Sequence, residues 1–228
     1  MIKALVWCED VQNKTQEDVK ATYPEGMHNT IAEFLSMDSH ITATTATLDD
    51  DNCGITDEVL ANTDVVLWWG HVAHDKVPDD VVDRLQRWVL KDGGGIICLH
   101  SAHFAKIFKR LMGTTCGLSI AESWCAKEKL WTLMPGHPIA SGVPNPLDIE
   151  IEEAYIEYFD IPQPDELVFN AAFEGCGSFR AGAAYTRGKG KVFYFQPGHE
   201  TYPVFRQKEI QHIIRNAVYW ASNKSRDV

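Results

Sequence analysis

The sequence predicts one doubly wound α/β domain built on a largely parallel sheet. Short apolar runs at 2–8, 65–69 and 96–99 have strand length and alternate with segments whose apolar residues recur at helical spacing. The same alternation returns near the end, where an apolar run at 191–195 precedes a helical face carrying Ile210, Ile213, Ile214 and Val218. A chain of 228 residues can bury a large core as one domain without covalent staples.

Taken in order, 2–8 reads as the first strand. The polar stretch 9–23 lacks an amphipathic period and is expected as a long loop above that strand's end. Pro24 suits a first helical turn, and Ile31, Phe34 and Leu35 give the following helix its apolar stripe. A weaker, threonine-rich strand follows at 41–48, then a short helix at 56–61 and the strand 65–69. From Pro78, Val81, Val82, Leu85, Trp88 and Val89 mark a helix that ends at Lys91-Asp92-Gly93.

Gly93-Gly94-Gly95 stops that helix and permits a tight turn into Ile96-Ile97-Cys98-Leu99, a run suited to a strand buried on both faces. Another helix is expected at 103–111. The middle is less regular: 124–133, 149–159 and 178–185 have extended character, and prolines and glycines interrupt 135–146. Gly188-Lys189-Gly190 is a turn before the strand at 191–195, and a helix follows Pro203.

Hydrophobic residues make up 45% of the chain and charged residues 23%, and the formal net charge is −11. That acidity opposes a nucleic-acid backbone or an anionic membrane surface as partner. The six cysteines are dispersed, with no CxxC pair to suggest a zinc ribbon. Cys8 and Cys98 fall in apolar strand patterns and are expected as core thiols. The N-terminus enters a strand at once without a secretory pattern, and no segment approaches membrane-spanning length. The expectation is a cytoplasmic protein with reduced cysteines.

Chemistry in an open α/β sheet gathers where the parallel strands end. His71, His100 and His199 stand just beyond predicted strands, and His28 opens the helix after the first. His28, His71 and His199 are expected to approach one divalent ion, zinc first; a structural histidine network is the alternative. His74 shares the loop of His71. His100 could exchange a proton, orient a sugar hydroxyl or simply bond backbone. Ser101 is not in a G-x-S-x-G elbow.

Glu9, Asp10, Glu25 and Glu200 are carboxylates at the same rim, and Glu200 could orient His199 or hold sugar hydroxyls. His100, His199 and Glu200 are therefore the catalytic candidates. Among the aromatic residues Trp69 is the preferred pocket wall, being nearest a strand terminus. The three glycines precede their strand, whereas a dinucleotide loop follows one, so no nucleotide cofactor is implied.

Gly93-Gly94-Gly95-Ile96-Ile97-Cys98-Leu99-His100, Gly136-His137-Pro138-Ile139 and Gly188-Lys189-Gly190-Lys191-Val192-Phe193-Tyr194 with Gly198-His199 together resemble the ThuA-like trehalose-utilisation family. That family is related in fold to class I glutamine amidotransferases, and the resemblance covers nearly the full chain. It implies a flavodoxin-like or amidotransferase-like domain over 1–222, with a short polar tail at 223–228.

Amidotransferases carry a cysteine in the turn after the central strand, with a later histidine and glutamate. Here that turn holds His100, Cys98 lies inside the strand, and Glu200 adjoins His199, so glutamine hydrolysis is not expected. The family's association with trehalose and related disaccharides, beside dehydrogenases that make 3-keto sugars, implies a disaccharide or 3-keto sugar as ligand. Acid–base isomerisation or cleavage suits a 3-keto sugar, since its carbonyl acidifies neighbouring C–H bonds. The alternative is a sugar-binding or regulatory protein without a chemical step. His137 could simply organise its proline-rich turn, and size, apolar content and resemblance together suggest a homo-oligomer.

Overall fold

Ile2–Cys8 forms β1, and two short helices follow it, α1 at Val11–Thr15 and α2 at Glu17–Thr22. The computed structural model describes residues 1–222; the tail expected at 223–228 lies outside the described residues. The loop expected at 9–23 is thus largely helical. Glu17 and Asp18 sit in the first turn of α2, where acidic groups suit the helix dipole, and Val19 is buried beneath it.

The first half continues with α3 (Met27–Ser36), β2 (Ile41–Thr47), α4 (Asp57–Ala61) and β3 (Val65–Trp69). Thr56 caps α4 by accepting from the Val59 amide at 3.2 Å. Next come α5 (Asp79–Arg87), which runs on through a wider turn at Trp88–Asp92, then β4 (Gly95–Leu99) and α6 (Lys106–Met112). The second half holds β5 (Ser119–Thr132), β6 (Leu147–Ile156), β7 (Glu166–Phe173), β8 (Gly177–Arg187), β9 (Gly190–Phe195) and α7 (Lys208–Ala221).

All nine strands make one sheet in the order β2-β1-β3-β4-β9-β8-β7-β5-β6. The pairings from β2 to β9 are parallel, and those from β9 to β6 are antiparallel. The sheet is therefore mixed rather than largely parallel. The reason is loop length: only Gly188 and Lys189 separate β8 from β9, and Gly188 takes φ 57°, so the chain must reverse.

The core follows the apolar runs. Every residue of β3 and β4 is buried, as a parallel sheet covered on both faces requires. Trp7 and Trp68 stack with ring centroids 3.7 Å apart, and Trp69 is equally buried. Cys8 and Cys98 are core thiols, as expected. The glycines before β4 serve close approach as well as turning: a Cβ on Gly95 would lie 2.4 Å from the Ala221 carbonyl oxygen, so α7 packs directly on that strand's backbone. Among the described residues, no helix is long and apolar enough to cross a membrane.

Candidate active site

The parallel strands end on one rim, and their ends bring three imidazoles together. His71 follows β3, His100 follows β4 and His199 follows β9. Their ring centroids lie 6.0 Å (His71–His100), 5.5 Å (His71–His199) and 5.3 Å (His100–His199) apart. His100 occupies the turn with φ 52°, a left-handed conformation that non-glycine residues seldom adopt and that clusters at functional sites.

Buried bonds hold each piece. The Glu9 carboxylate accepts from the Val72 and Ala73 amides at 2.7 and 3.0 Å, anchoring the loop that carries His71. Trp69 Nε1 donates to the Gly198 carbonyl at 3.0 Å and so fixes the loop of His199. The expected pocket wall is in fact a packed strut. Glu152, fully buried, accepts from the backbone amides of Gly198 at 2.6 Å, His199 at 3.2 Å and Glu153 at 2.8 Å.

Glu152 and Glu153 come from β6, four strands away from β9 in the sheet order. Their contacts with the histidines require the antiparallel half to curl back over the rim. Glu153 Oε2 accepts from His100 Nε2 at 3.0 Å and lies 4.0 Å from His199 Nε2. His100 Nδ1 donates to the Gln196 carbonyl at 2.8 Å, and the Tyr155 hydroxyl stands 3.3 Å from His100 Nε2. Glu200 completes the group: both its oxygens are 3.0 Å from His71 Nδ1, and Gln12 Nε2 donates to Oε1 at 3.3 Å.

The arrangement separates the titrating groups. Burial works to lower His100, but the Glu153 bond and the charges of Glu152 and Glu153 outweigh it and raise the imidazole to about 9. Burial, assisted by the His100 charge, takes His199 down to about 4, which leaves that ring neutral. Burial works to raise Glu200, yet its bond to His71 brings the carboxyl down to about 2. For Glu153 the His100 bond likewise overcomes burial and lowers the carboxyl. For Glu152 burial wins, and the carboxyl rises.

Not every predicted residue joins this group. His28, expected beside His71 and His199, instead has Asp10 Oδ1 at 3.9 Å. The three side chains whose ligand atoms converge, all within 4.8 Å of one another, are His71, Glu153 and His199. His74 faces Phe104, edge to face at 6.4 Å, and burial lowers it to about 4. Asp10 pairs with Lys14 at 2.9 Å, and Glu25 is exposed. Ser101 Oγ is 3.0 Å from the Tyr155 hydroxyl, which supplies no base for a nucleophile. His137 does organise its turn, accepting from the Ile139 amide at 3.2 Å.

Glu152, Glu153, Tyr155 and Gln12 are not among the residues expected from the sequence. Adjacent glutamates inside a strand carry one usable signal: consecutive side chains point to opposite faces, so at least one must confront a covered face. Above the histidines lies Trp124, 51% exposed, with its ring 5.8 Å from His199 and 6.4 Å from Tyr202. This is an aromatic surface open to a ligand at the edge of a polar site.

The fold and this rim define an α/β domain whose central strand ends in a turn that carries His100. The chain belongs to the ThuA family, described as trehalose utilisation, which matches residues 3–221. A ThuA-like protein from Parabacteroides merdae superposes with a TM-score of 0.71 at 16% identity, covering 100% of this chain and 92% of that one. A protein described as a GMP synthase component from Thermoplasma acidophilum gives 0.58 at 15% identity, covering 96% and 92%. A cold-adapted β-galactosidase from Rahnella sp. R3 gives 0.60 at 12% identity, covering 99% of this chain and 32% of that one. At these identities the likenesses establish the fold alone. No curated protein sequence matches the chain.

Proposed function

We propose that the rim site performs acid–base chemistry on an oxidised sugar, a 3-keto disaccharide of the trehalose type. The observation that carries this reading is the meeting of a neutral imidazole with ionised carboxylates beneath an exposed tryptophan. A keto sugar needs a base at the carbon beside its carbonyl and a donor at the oxygen that gains charge. His199, Glu153 and Glu200 are placed to take the proton, and His71, 27% exposed on its side chain, is the most accessible imidazole at the rim.

His100 has no exposed surface, so it acts through its neighbours. Its Nδ1 is committed to a carbonyl, and its Nε2 holds a proton against Glu153. It is the proton store behind the carboxylate rather than a group that touches sugar. Proton removal beside the carbonyl gives an enediol that can be reprotonated on the other carbon, which is isomerisation. Expulsion of a neighbouring glycosidic oxygen, with a proton delivered to it, is cleavage. Trp124 and Tyr202 would present ring faces to the apolar side of a pyranose.

The test is incubation of purified protein with trehalose and with its 3-keto derivative, following isomers and cleavage products. Turnover of the keto sugar alone is the expected result. Saturable binding of either sugar without turnover would replace this reading with a sugar-binding protein, which the exposed Trp124 equally suits.

A further inference from the structure

We infer that His71, Glu153 and His199 form a binding site for one divalent first-row metal ion, with zinc the first choice. The inference deepens the reading above, since the ion would occupy the same rim.

Two imidazoles and one carboxylate suit such ions, and three protein ligands leave a position for water or a carbonyl oxygen. Their ligand atoms lie within 4.8 Å of one another, with His199 Nε2 and Glu153 Oε2 at 4.0 Å. Bonds of about 2.1 Å to a tetrahedral ion place ligand atoms roughly 3.4 Å apart. Side-chain torsion alone can close that difference, because the backbones are already fixed by Glu9, Glu152 and Trp69.

Each ligand also has the outer partner that a metal site needs. Glu200 accepts from His71 Nδ1, which leaves Nε2 with its lone pair. Thr201 Oγ1 lies 2.8 Å from His199 Nδ1, which also accepts from the Thr201 backbone amide at 3.3 Å, so an ion bound at Nε2 requires the ring proton to move to Nδ1 and the hydroxyl to turn and accept it. His100 donates to Glu153 and holds the carboxylate in place. The three ligands come from three separate segments of the chain, yet their ligand atoms all lie within 4.8 Å of one another. His28 has no part in the set, its near neighbour being Asp10.

The experiment loads extensively dialysed protein with Zn²⁺ and, separately, with Co²⁺, and measures bound metal and the Co²⁺ visible spectrum. One ion per chain is expected, with the spectrum of a nitrogen–oxygen site and no thiolate charge-transfer band. Glu153→Gln and His71→Ala should weaken binding by more than roughly 100-fold, beyond the usual effect of outer partners, while His28→Ala should bind as wild type. Circular dichroism checks that each variant folds, and the wild-type spectrum decides the matter for any that does not.

No stoichiometric metal, a thiolate band, or undiminished binding in folded Glu153→Gln would overturn the site. Keto-sugar turnover measured with and without metal separates the two readings. Turnover undiminished in chelated protein that takes up no metal on readdition ends the metal inference and leaves the catalysis. Tight metal binding without turnover does the reverse.

Discussion

The two halves of the sheet divide the work. The parallel half runs from β2 to β9; its central strands β3 and β4 are buried on both faces, and it ends in the loops that carry His71, His100 and His199. The antiparallel half supplies Glu152, Glu153, Tyr155 and Trp124, and it reaches the rim only by curling over it. The imidazoles thus come from one half, and the carboxylates bonded to them come from both, Glu200 on His71 from the parallel half and Glu153 on His100 from the antiparallel half. A site assembled this way depends on how the halves meet as much as on the residues themselves.

The comparison breaks most sharply at His199, the imidazole from the parallel half that both Glu153 and Glu200 approach. His199→Ala is expected to lower keto-sugar turnover roughly 100- to 10,000-fold, the usual worth of a positioned acid–base group. Steady-state kinetics on folded variant checks this, and turnover within a few-fold of wild type would remove His199 from the chemistry. The matching test on the other half is Glu152→Ala, which strands the amides of Gly198 and His199 without an acceptor. Its expected cost is roughly 2–4 kcal/mol of stability, with partial recovery in Glu152→Gln, both read from urea unfolding.

The same division decides what can be read from the sequence. Strands β3 and β4 carry no charged residue, and β1 and β9 carry one lysine each, so their apolar runs stand out and the histidines beyond β3, β4 and β9 fall on one rim. The antiparallel strands carry weaker signals. β7 offers none that stands out: register shifts between Leu167 and Phe169, and between Phe169 and Ala171, break the alternation a reader looks for. Glu153 meets His100 only because β6 folds across the rim, a tertiary event with no local pattern. The expectation for His28 rests on topology alone, and topology brings a helix start near a strand end without aiming its side chain. The expectation for Trp69 rests on its position at a strand end, while packing turns its ring inward to Gly198.

Trp124 sharpens the comparison with a milder change. It lies on β5, yet its ring stands over the histidine of the other half. Trp124→Ala should weaken sugar binding about fivefold, equivalent to roughly 1 kcal/mol for an aromatic face, with little change in unfolding free energy. Calorimetric titration with the keto disaccharide measures the first and denaturant unfolding the second. Unchanged affinity would place the sugar elsewhere on the rim.

The last test concerns Glu128, a buried acid of the antiparallel half that takes no part in the site. It is fully buried on β5, and neither carboxyl oxygen has a hydrogen-bond partner among the described residues. Burial first, and then the Glu152 charge, push its pKa well above the ordinary carboxylate range. A folded-state pKa above the unfolded value near about 4.3 means the native state holds this proton more tightly than the unfolded chain does. The resulting stabilisation is complete below the unfolded value and is lost as pH rises through the folded one. Glu128→Leu removes both the titration and the unpartnered oxygens at similar volume. The variant should therefore gain on wild type steadily as pH is raised from about 4 towards neutrality, when urea midpoints are compared at each pH. A constant difference across that range would mean that Glu128 does not change its proton affinity on folding, and that this acid is as well accommodated as the carboxylates on the rim.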